Sequence, residues 1–306
     1  MLTADRGAQR QRTGRQRDWI WRGWQTRYSY RPAAHPAASA RAPLMLLHGF
    51  GASLGHWRHN MPALSQQRPV YALDLLGFGA SRKAATDYSV DLWVAQTYDF
   101  WQTFVGTPAV LVGNSIGALV SAIAAARHPE MVAGVVLLSL PDVSLRQQAI
   151  PRWMRPAVTA AELTVASPPL LRLLFALLRR PRWLRRGIGL AYADRRAVDA
   201  ELVELLAAPT RDAGAARTFV RLFRAFNRPD FTPPTQTAIP QIAAPILLLW
   251  GLQDRMVPPR LAHRFRDLNP QLQLVEVAGA GHCLHDEQPD RFHRILLDWL
   301  AATVDG

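Results

Sequence analysis

Gly113-Asn114-Ser115-Ile116-Gly117, entered from the apolar run Ala109-Val110-Leu111-Val112 and left through the alanine-rich stretch Ala118 to Arg127, is the segment whose reading decides the fold. It reads as strand, sharp turn and helix, with a serine at the apex. Glycines two residues before and after Ser115 let the backbone take strained angles and pack closely, so the hydroxyl stands exposed above a sheet edge. The N-terminus of the following helix favours developing negative charge beside it. The five residues alone are also compatible with an ordinary glycine-rich turn, so the flanking strand and helix carry the inference.

Three further segments support it. Leu44-Met45-Leu46-Leu47 is a buried-strand run that ends in His48-Gly49-Phe50-Gly51, a flexible loop able to aim backbone N–H groups at a neighbour. A tetrahedral oxyanion needs two such donors, and the expected pair is the amides of Phe50 and Ile116. Pro245 to Trp250 is another continuous apolar strand, and it delivers Gly251-Leu252-Gln253-Asp254 at its end. One strand later, beyond Leu272 to Val277, comes Ala278-Gly279-Ala280-Gly281-His282. Asp254 is the expected acid and His282 the expected base.

A serine hydroxyl is a poor nucleophile until an imidazole takes its proton, and the imidazole needs a carboxylate to fix its tautomer and stabilise its cation. The order Ser115, Asp254, His282 is that of an α/β-hydrolase. From Trp19 onward the chain resembles the α/β-hydrolase superfamily. The matching motifs are His48-Gly49-Phe50-Gly51, Asp74 to Ser81, the serine turn, Trp250 to Asp254 and Gly281-His282. Around Ala72 to Gly77 and Val112 to Gly117 it is similar to hydrolases of photosynthetic organisms, including pheophytin-dephytylating esterases, although Ala118 replaces a glycine usual in that group. The resemblance implies a mostly parallel, twisted sheet with helices on both faces; the interval of about a hundred residues between the strand ending near Leu140 and the one starting near Ile246, far longer than an ordinary connection, reads as a helical cap inserted after the sixth core strand. Serine at the apex excludes the dehalogenases and epoxide hydrolases of this fold, which use aspartate there.

Each candidate has a competitor. Asp142, at the end of the strand through Leu137-Leu138, competes with Asp254, and His285 competes with His282 but is expected to be solvated or bonded to its loop. His48 is expected to bond backbone within its turn, Asp74 to accept turn N–H groups, and Asn114 to orient the loop carrying the serine. Cys283, the single cysteine, excludes an internal disulfide and reads as packing. The nine histidines do not cluster with carboxylates at ligand spacing, so no metal and no cofactor are expected.

At 306 residues and 49% hydrophobic content, the chain can bury a full α/β core and carry a cap. Residues 1–18 read as a basic disordered tail, 19–141 and 241–306 as the two parts of the core, and 142–240 as the cap. The core opens with a hairpin, Trp19 to Tyr30, and helices are expected near His56 to Ser65, Ser89 to Phe104, Ser115 to Arg127, Arg260 to Asp267 and Pro289 to Ala302. Cap helices are expected near Ala157 to Ala166, Pro169 to Leu178, Val198 to Ala207 and Ala213 to Phe226, punctuated by prolines.

The net charge of +13 is unevenly spread. Residues 1 to 31 carry eight arginines and two aspartates, 142 to 240 carry sixteen arginines and eight acids, and the rest nets −1. The excess therefore sits on tail and cap, where a substrate or membrane surface would meet the protein. Leu170 to Arg180, followed by Trp183, Arg185 and Arg186, suits a helix resting on anionic lipid; its alternative is burial of Leu170 to Leu178 against the core. Lys83 is the only lysine, so genome composition also accounts for arginine dominance. Nucleic acid is excluded as partner, because no binding motif accompanies the basic residues. Arg6 to Arg17 lead into no apolar run of a secretory leader, and no stretch reaches the roughly 18 apolar residues of a membrane span. A cytoplasmic protein, soluble or peripherally attached to membrane, is the expectation.

The function expected is a serine hydrolase acting on an ester of a bulky apolar molecule. The alternatives are a C–C bond hydrolase acting on a vinylogous keto acid, whose carboxylate Arg172 or Arg179 would hold, and a non-catalytic pigment- or lipid-handling protein.

Overall fold

The computed structural model describes residues 12–142, 167–228 and 230–306. Its strands are β1 (Arg15–Trp21), β2 (Trp24–Arg31), β3 (Leu44–Leu47), β4 (Val70–Leu73), β5 (Ala109–Asn114), β6 (Val132–Leu138), β7 (Ile246–Gly251) and β8 (Leu272–Val277). They form one sheet in the order β1-β2-β4-β3-β5-β6-β7-β8. β1 and β2 pair antiparallel, as do β2 and β4; every other neighbour pair is parallel.

The continuous apolar runs of β3, β5, β6 and β7 are buried on both faces, as a parallel sheet covered by helices requires. Alternation assigns Leu44 and Leu46 to one core with Trp57, Met61 and Leu296, and Met45 and Leu47 to the other with Trp93, Phe100 and Leu119. The covering helices include α1 (Val90–Phe104) and α2 (Ile116–Arg127). Ser89 caps α1, its hydroxyl accepting the Leu92 N–H at 3.2 Å.

Between β6 and β7 the described elements are all helical: α3 (Pro168–Leu178), α4 (Pro181–Ile188), α5 (Ala200–Ala207), α6 (Ala215–Phe226) and short turns. Leu171 of α3 packs on Val220 of α6 with Leu174, Phe219 and Phe223 around them. Phe231, Ala238, Ile239 and Ile242 rejoin the main core, so packing returns to the sheet before β7 begins. α7 (Ala262–Arg266), the short α8 (Leu284–Glu287) and α9 (Pro289–Thr303) complete the chain.

Three expectations need adjustment. The hairpin starts at Arg15, inside the stretch read as disordered, because residues 15–18 add ladder pairs to β2 and Asp18 is gripped by Arg27 at 2.6 Å and Gln25 at 2.7 Å. The helix expected from His56 to Ser65 is broken into a 3-10 turn, Leu54–Trp57, and a short helix, Asn60–Leu64. α4 was not expected at all, although Pro181 at its first position marks a helix start. The helix expected near Ala157 to Ala166 lies outside the described residues.

Candidate active site

Ser115 sits at the junction of β5 and α2 with φ 56° and ψ −113°, a left-handed conformation that costs a non-glycine residue about 1–3 kcal/mol. The surroundings hold it there. A Cβ at Gly113 would lie 2.1 Å from the Gly117 carbonyl oxygen, and one at Gly117 would lie 2.1 Å from that of Leu47. Both motif glycines are therefore required by close backbone approach. The Ser115 amide donates to the Leu138 carbonyl at 2.9 Å, tying the turn to the end of β6.

The loop after β3 packs directly on this turn: a Cβ at Gly49 would meet the Asn114 side chain at 2.9 Å and Ser115 Cβ at 3.4 Å. His48 is fully buried, with Nδ1 2.8 Å from the Gly49 carbonyl and Nε2 accepting the Leu75 N–H at 3.1 Å. Burial pushes this imidazole down to about 4, so it is a neutral turn brace. Asp74 accepts the amides of Leu54 (2.6 Å) and Ala80 (2.7 Å); burial nonetheless raises its carboxyl to about 6. Both side chains bond backbone, as read from the sequence.

The loops after β7 and β8 bring Asp254 and His282 together, with His282 Nδ1 2.8 Å from Asp254 Oδ2. The other carboxylate oxygen of Asp254 accepts the amides of Met256 and Val257 at 2.8 and 2.9 Å. This buried carboxylate is thus fixed in position before it meets the imidazole. Asp142 Oδ2 accepts from the Gln236 side chain at 3.0 Å, whereas the carboxylate that meets His282 Nδ1 is that of Asp254. Asn114 donates to the His282 carbonyl at 3.0 Å, so it orients the histidine's loop as well as its own. The expectation for His285 fails: it is completely buried, its ring 4.1 Å from that of Trp57 and 4.7 Å from that of His56, because α8 turns it into the interior. Cys283 is buried against Tyr192 and Val198, and burial raises its thiol well above the ordinary value.

The helical region between β6 and β7 touches this site by its main chain. The Ala191 carbonyl accepts the His282 amide at 2.8 Å, and a Cβ at Gly281 would meet that same oxygen at 2.6 Å. One residue on, the Tyr192 hydroxyl donates to Asp286 at 2.6 Å and lies 2.9 Å from His56 Nε2, while Arg58 grips the other Asp286 oxygen at 2.6 Å. These residues escaped the sequence reading, since nothing local announces contacts across 94 or 228 positions.

Phe50, Gly51 and Phe78 form the floor of a cavity of about 190 Å³ whose walls include Phe175, Leu206, Phe219 and Leu222. Arg179 lies at its wall; Arg172 does not line it. Lys83 also reaches it, but its ammonium is engaged by the Gly79 and Ser81 carbonyls and by Asp212. Among the described residues no group of three or more His, Cys, Asp or Glu side chains converges as metal ligands would.

The profile of the family described as alpha/beta hydrolase fold matches residues 42–289. The chain belongs to the alpha/beta hydrolase family. Within that family it is 29% identical over 272 residues to the 2-hydroxymuconate semialdehyde hydrolase of Pseudomonas sp. strain CF600, covering 87% of this chain and 89% of that protein. It is 26% identical over 286 residues to the 1-acylglycerol-3-phosphate O-acyltransferase ABHD5 of Rattus norvegicus, covering 87% of this chain and 79% of that one. The crystal structure of a membrane phospholipase A, a bacterial virulence factor, superposes with a TM-score of 0.78 over 98% of this chain and 90% of that chain at 24% identity. That likeness shows the hydrolase fold alone.

Proposed function

We propose that this hydrolase cleaves an ester of a bulky apolar substrate through an acyl-enzyme on Ser115. The observation that carries the reading is Ser115 at φ 56° on a strand-to-helix turn, with a His282–Asp254 pair of 2.8 Å on the loops that follow β7 and β8 of the same sheet. Ser115 Oγ attacks the acyl carbon as His282 Nε2 takes its proton, and Asp254 holds Nδ1 and stabilises the imidazolium. The amides of Phe50 and Ile116 receive the oxyanion, the second being the first free N–H of α2. His282 returns the proton to the leaving alcohol, and water then repeats the cycle on the acyl-enzyme.

The apolar cavity beside Phe50 supports an apolar acyl group. Its volume of about 190 Å³ falls below the roughly 300–1,000 Å³ of ordinary ligand sites, so a bulky substrate requires the α3–α6 wall to open. The helices between β6 and β7 act in this reading as a lid.

A second reading has its own support in the likeness to the semialdehyde hydrolase: cleavage of a C–C bond in a vinylogous keto acid, with Arg179 at the cavity wall receiving the carboxylate. The experiment is a panel of p-nitrophenyl esters of increasing acyl length and of ring-cleavage keto acids, run on wild type and Ser115→Ala. Ester turnover that falls by several powers of ten in the variant supports the first reading. Keto-acid turnover exceeding ester turnover replaces it by the second, and ester turnover that survives in Ser115→Ala refutes both.

A further inference from the structure

The lid carries a second apolar stripe that the fold leaves uncovered. On α3, Leu171, Leu174 and Phe175 face α6, which accounts for the helix as a packed element. Leu170, Leu173 and Leu177 repeat at i, i+3 and i+7 on another side of the same helix, with exposures of 45%, 58% and 38%. The alternative read from the sequence is burial against the core; the buried side of α3 instead packs on α6, in a cluster separate from the two cores of the sheet. Trp183 on α4 and Leu190 beyond it, 49% and 51% exposed, extend the apolar surface.

Charge complements this surface in one sense only. From residue 167 to 193 the chain has six arginines, at 172, 179, 180, 182, 185 and 186, all exposed, and no acid. None of them pairs with a carboxylate of the described residues within 4.0 Å. Arg182, Arg185, Arg186 and Arg195 line a surface cleft of about 970 Å³ with Trp183, and the Arg186 guanidinium lies 5.4 Å over the Trp183 ring. An exposed leucine stripe with an indole and unpaired guanidinium groups at its edge fits the boundary between acyl chains and anionic headgroups.

We infer that α3 and α4 form a docking face for an anionic lipid bilayer. No described helix is long and apolar enough to cross a membrane, so the contact is a surface one. Leu178 borders both the arginine cleft and the apolar cavity beside Phe50, which places the docking face at the rim of the cavity. An apolar ester leaving the bilayer would enter there. That route rests on the hydrolase reading; the docking does not.

The test is sedimentation of the full chain with vesicles of phosphatidylcholine alone or mixed with phosphatidylglycerol, alongside turnover of a monomeric p-nitrophenyl ester. One variant reverses charge, Arg182→Glu/Arg185→Glu/Arg186→Glu, and one removes apolar contact, Leu173→Ser/Trp183→Ser. All five side chains are exposed and none lines the cavity, so folding and monomeric ester turnover stay at wild-type level. Wild type is expected to bind the mixed vesicles, to release on raised salt, and to prefer them over phosphatidylcholine by about a hundredfold or more, since the three arginines of α4 beside Trp183 contribute about fivefold each at an anionic surface. Charge reversal abolishes the preference, and the apolar variant weakens binding by about tenfold or more. Equal binding to both vesicle types, or wild-type binding by the charge variant, which would assign docking to the N-terminal arginines, overturns the inference. So does absence of binding together with a dimer that Leu173→Ser/Trp183→Ser dissolves, which would mean that a second copy covers the face. Vesicle binding without ester turnover leaves the docking standing and refutes the hydrolase reading.

Discussion

The amide of His282 donates to the carbonyl of Ala191 at 2.8 Å, so the loop that carries the proposed base is held from the lid side as well as from the sheet. Asn114 holds the carbonyl of the same residue from the sheet side at 3.0 Å. The main chain of His282 is therefore held between two elements, one of which, in the proposed reading, moves to admit a bulky substrate. The Tyr192–Asp286–Arg58 cluster sits one residue from this tie and fixes how the segment after α4 approaches.

Tyr192→Phe tests that anchoring. It removes the hydroxyl that donates to Asp286 and lies 2.9 Å from His56, leaving a buried carboxylate oxygen short of a donor. A loss of about 1–3 kcal/mol in urea unfolding is expected, with lower kcat on a short ester. Unchanged stability and kcat would show that the tie carries no strain to the base.

Asp254→Asn should lower kcat by about ten-thousandfold with little change in KM, because an amide at that position favours the wrong imidazole tautomer. Asp142→Asn, whose carboxylate meets Gln236 instead, should leave turnover near wild type. A reversal of these two results would move the acid to the end of β6.

Acid stability follows from the buried histidines. Their unfolded imidazoles titrate near 6.5, whereas burial holds His48 and His56 down to about 4 and His285 well below its ordinary value. The unfolded chain takes up protons first as pH falls, so this stability is complete above about 6.5 and is lost on the way down to about 4. Asp74 acts oppositely: its carboxyl, raised from 3.8 to about 6, gains a proton in the folded state first and offsets one histidine. Each uncompensated histidine contributes a slope of about 1.4 kcal/mol per pH unit in that window. Chemical unfolding at a series of pH values should show the decline, and a flat profile from 6.5 to 4 would contradict it.

Two glycines separate packing from propensity. Gly117→Ala drives a methyl group to 2.1 Å from the Leu47 carbonyl and should cost more than about 3 kcal/mol or prevent folding. Gly187→Ala in α4, with nothing within 4 Å of the new methyl, should stabilise by up to about 1 kcal/mol. Thermal unfolding of both variants distinguishes them.

The serine turn, the loop after β3 and the two loops bearing Asp254 and His282 were legible because each is a local pattern: an apolar strand that ends in small residues. Parallel pairing then gathers those strand ends on one sheet edge, which is a property of topology and needs no further information from the residues. His285 was misread because its inward direction depends on how α8 meets Trp57 and Phe292, a contact that no spacing encodes. α4 was missed because it is only eight residues long, with its apolar pair Leu184 and Ile188 set among three arginines, and Tyr192 because its partners come from segments far away in the chain. The lid's two-sided α3 illustrates the same limit: the leucines were evident, but which of them face α6 was decided by packing.

The central claim is that Ser115 is the acylated nucleophile, and covalent labelling tests it most directly. Intact-protein and peptide mass spectrometry after treatment with a fluorophosphonate should show one adduct, on the peptide containing Ser115, absent from Ser115→Ala and strongly slowed in Asp254→Asn. Iodoacetamide should leave the folded protein unmodified at Cys283, whose buried thiol stays protonated. Wild-type protein that takes up no fluorophosphonate, or an adduct that persists in Ser115→Ala, would contradict the account.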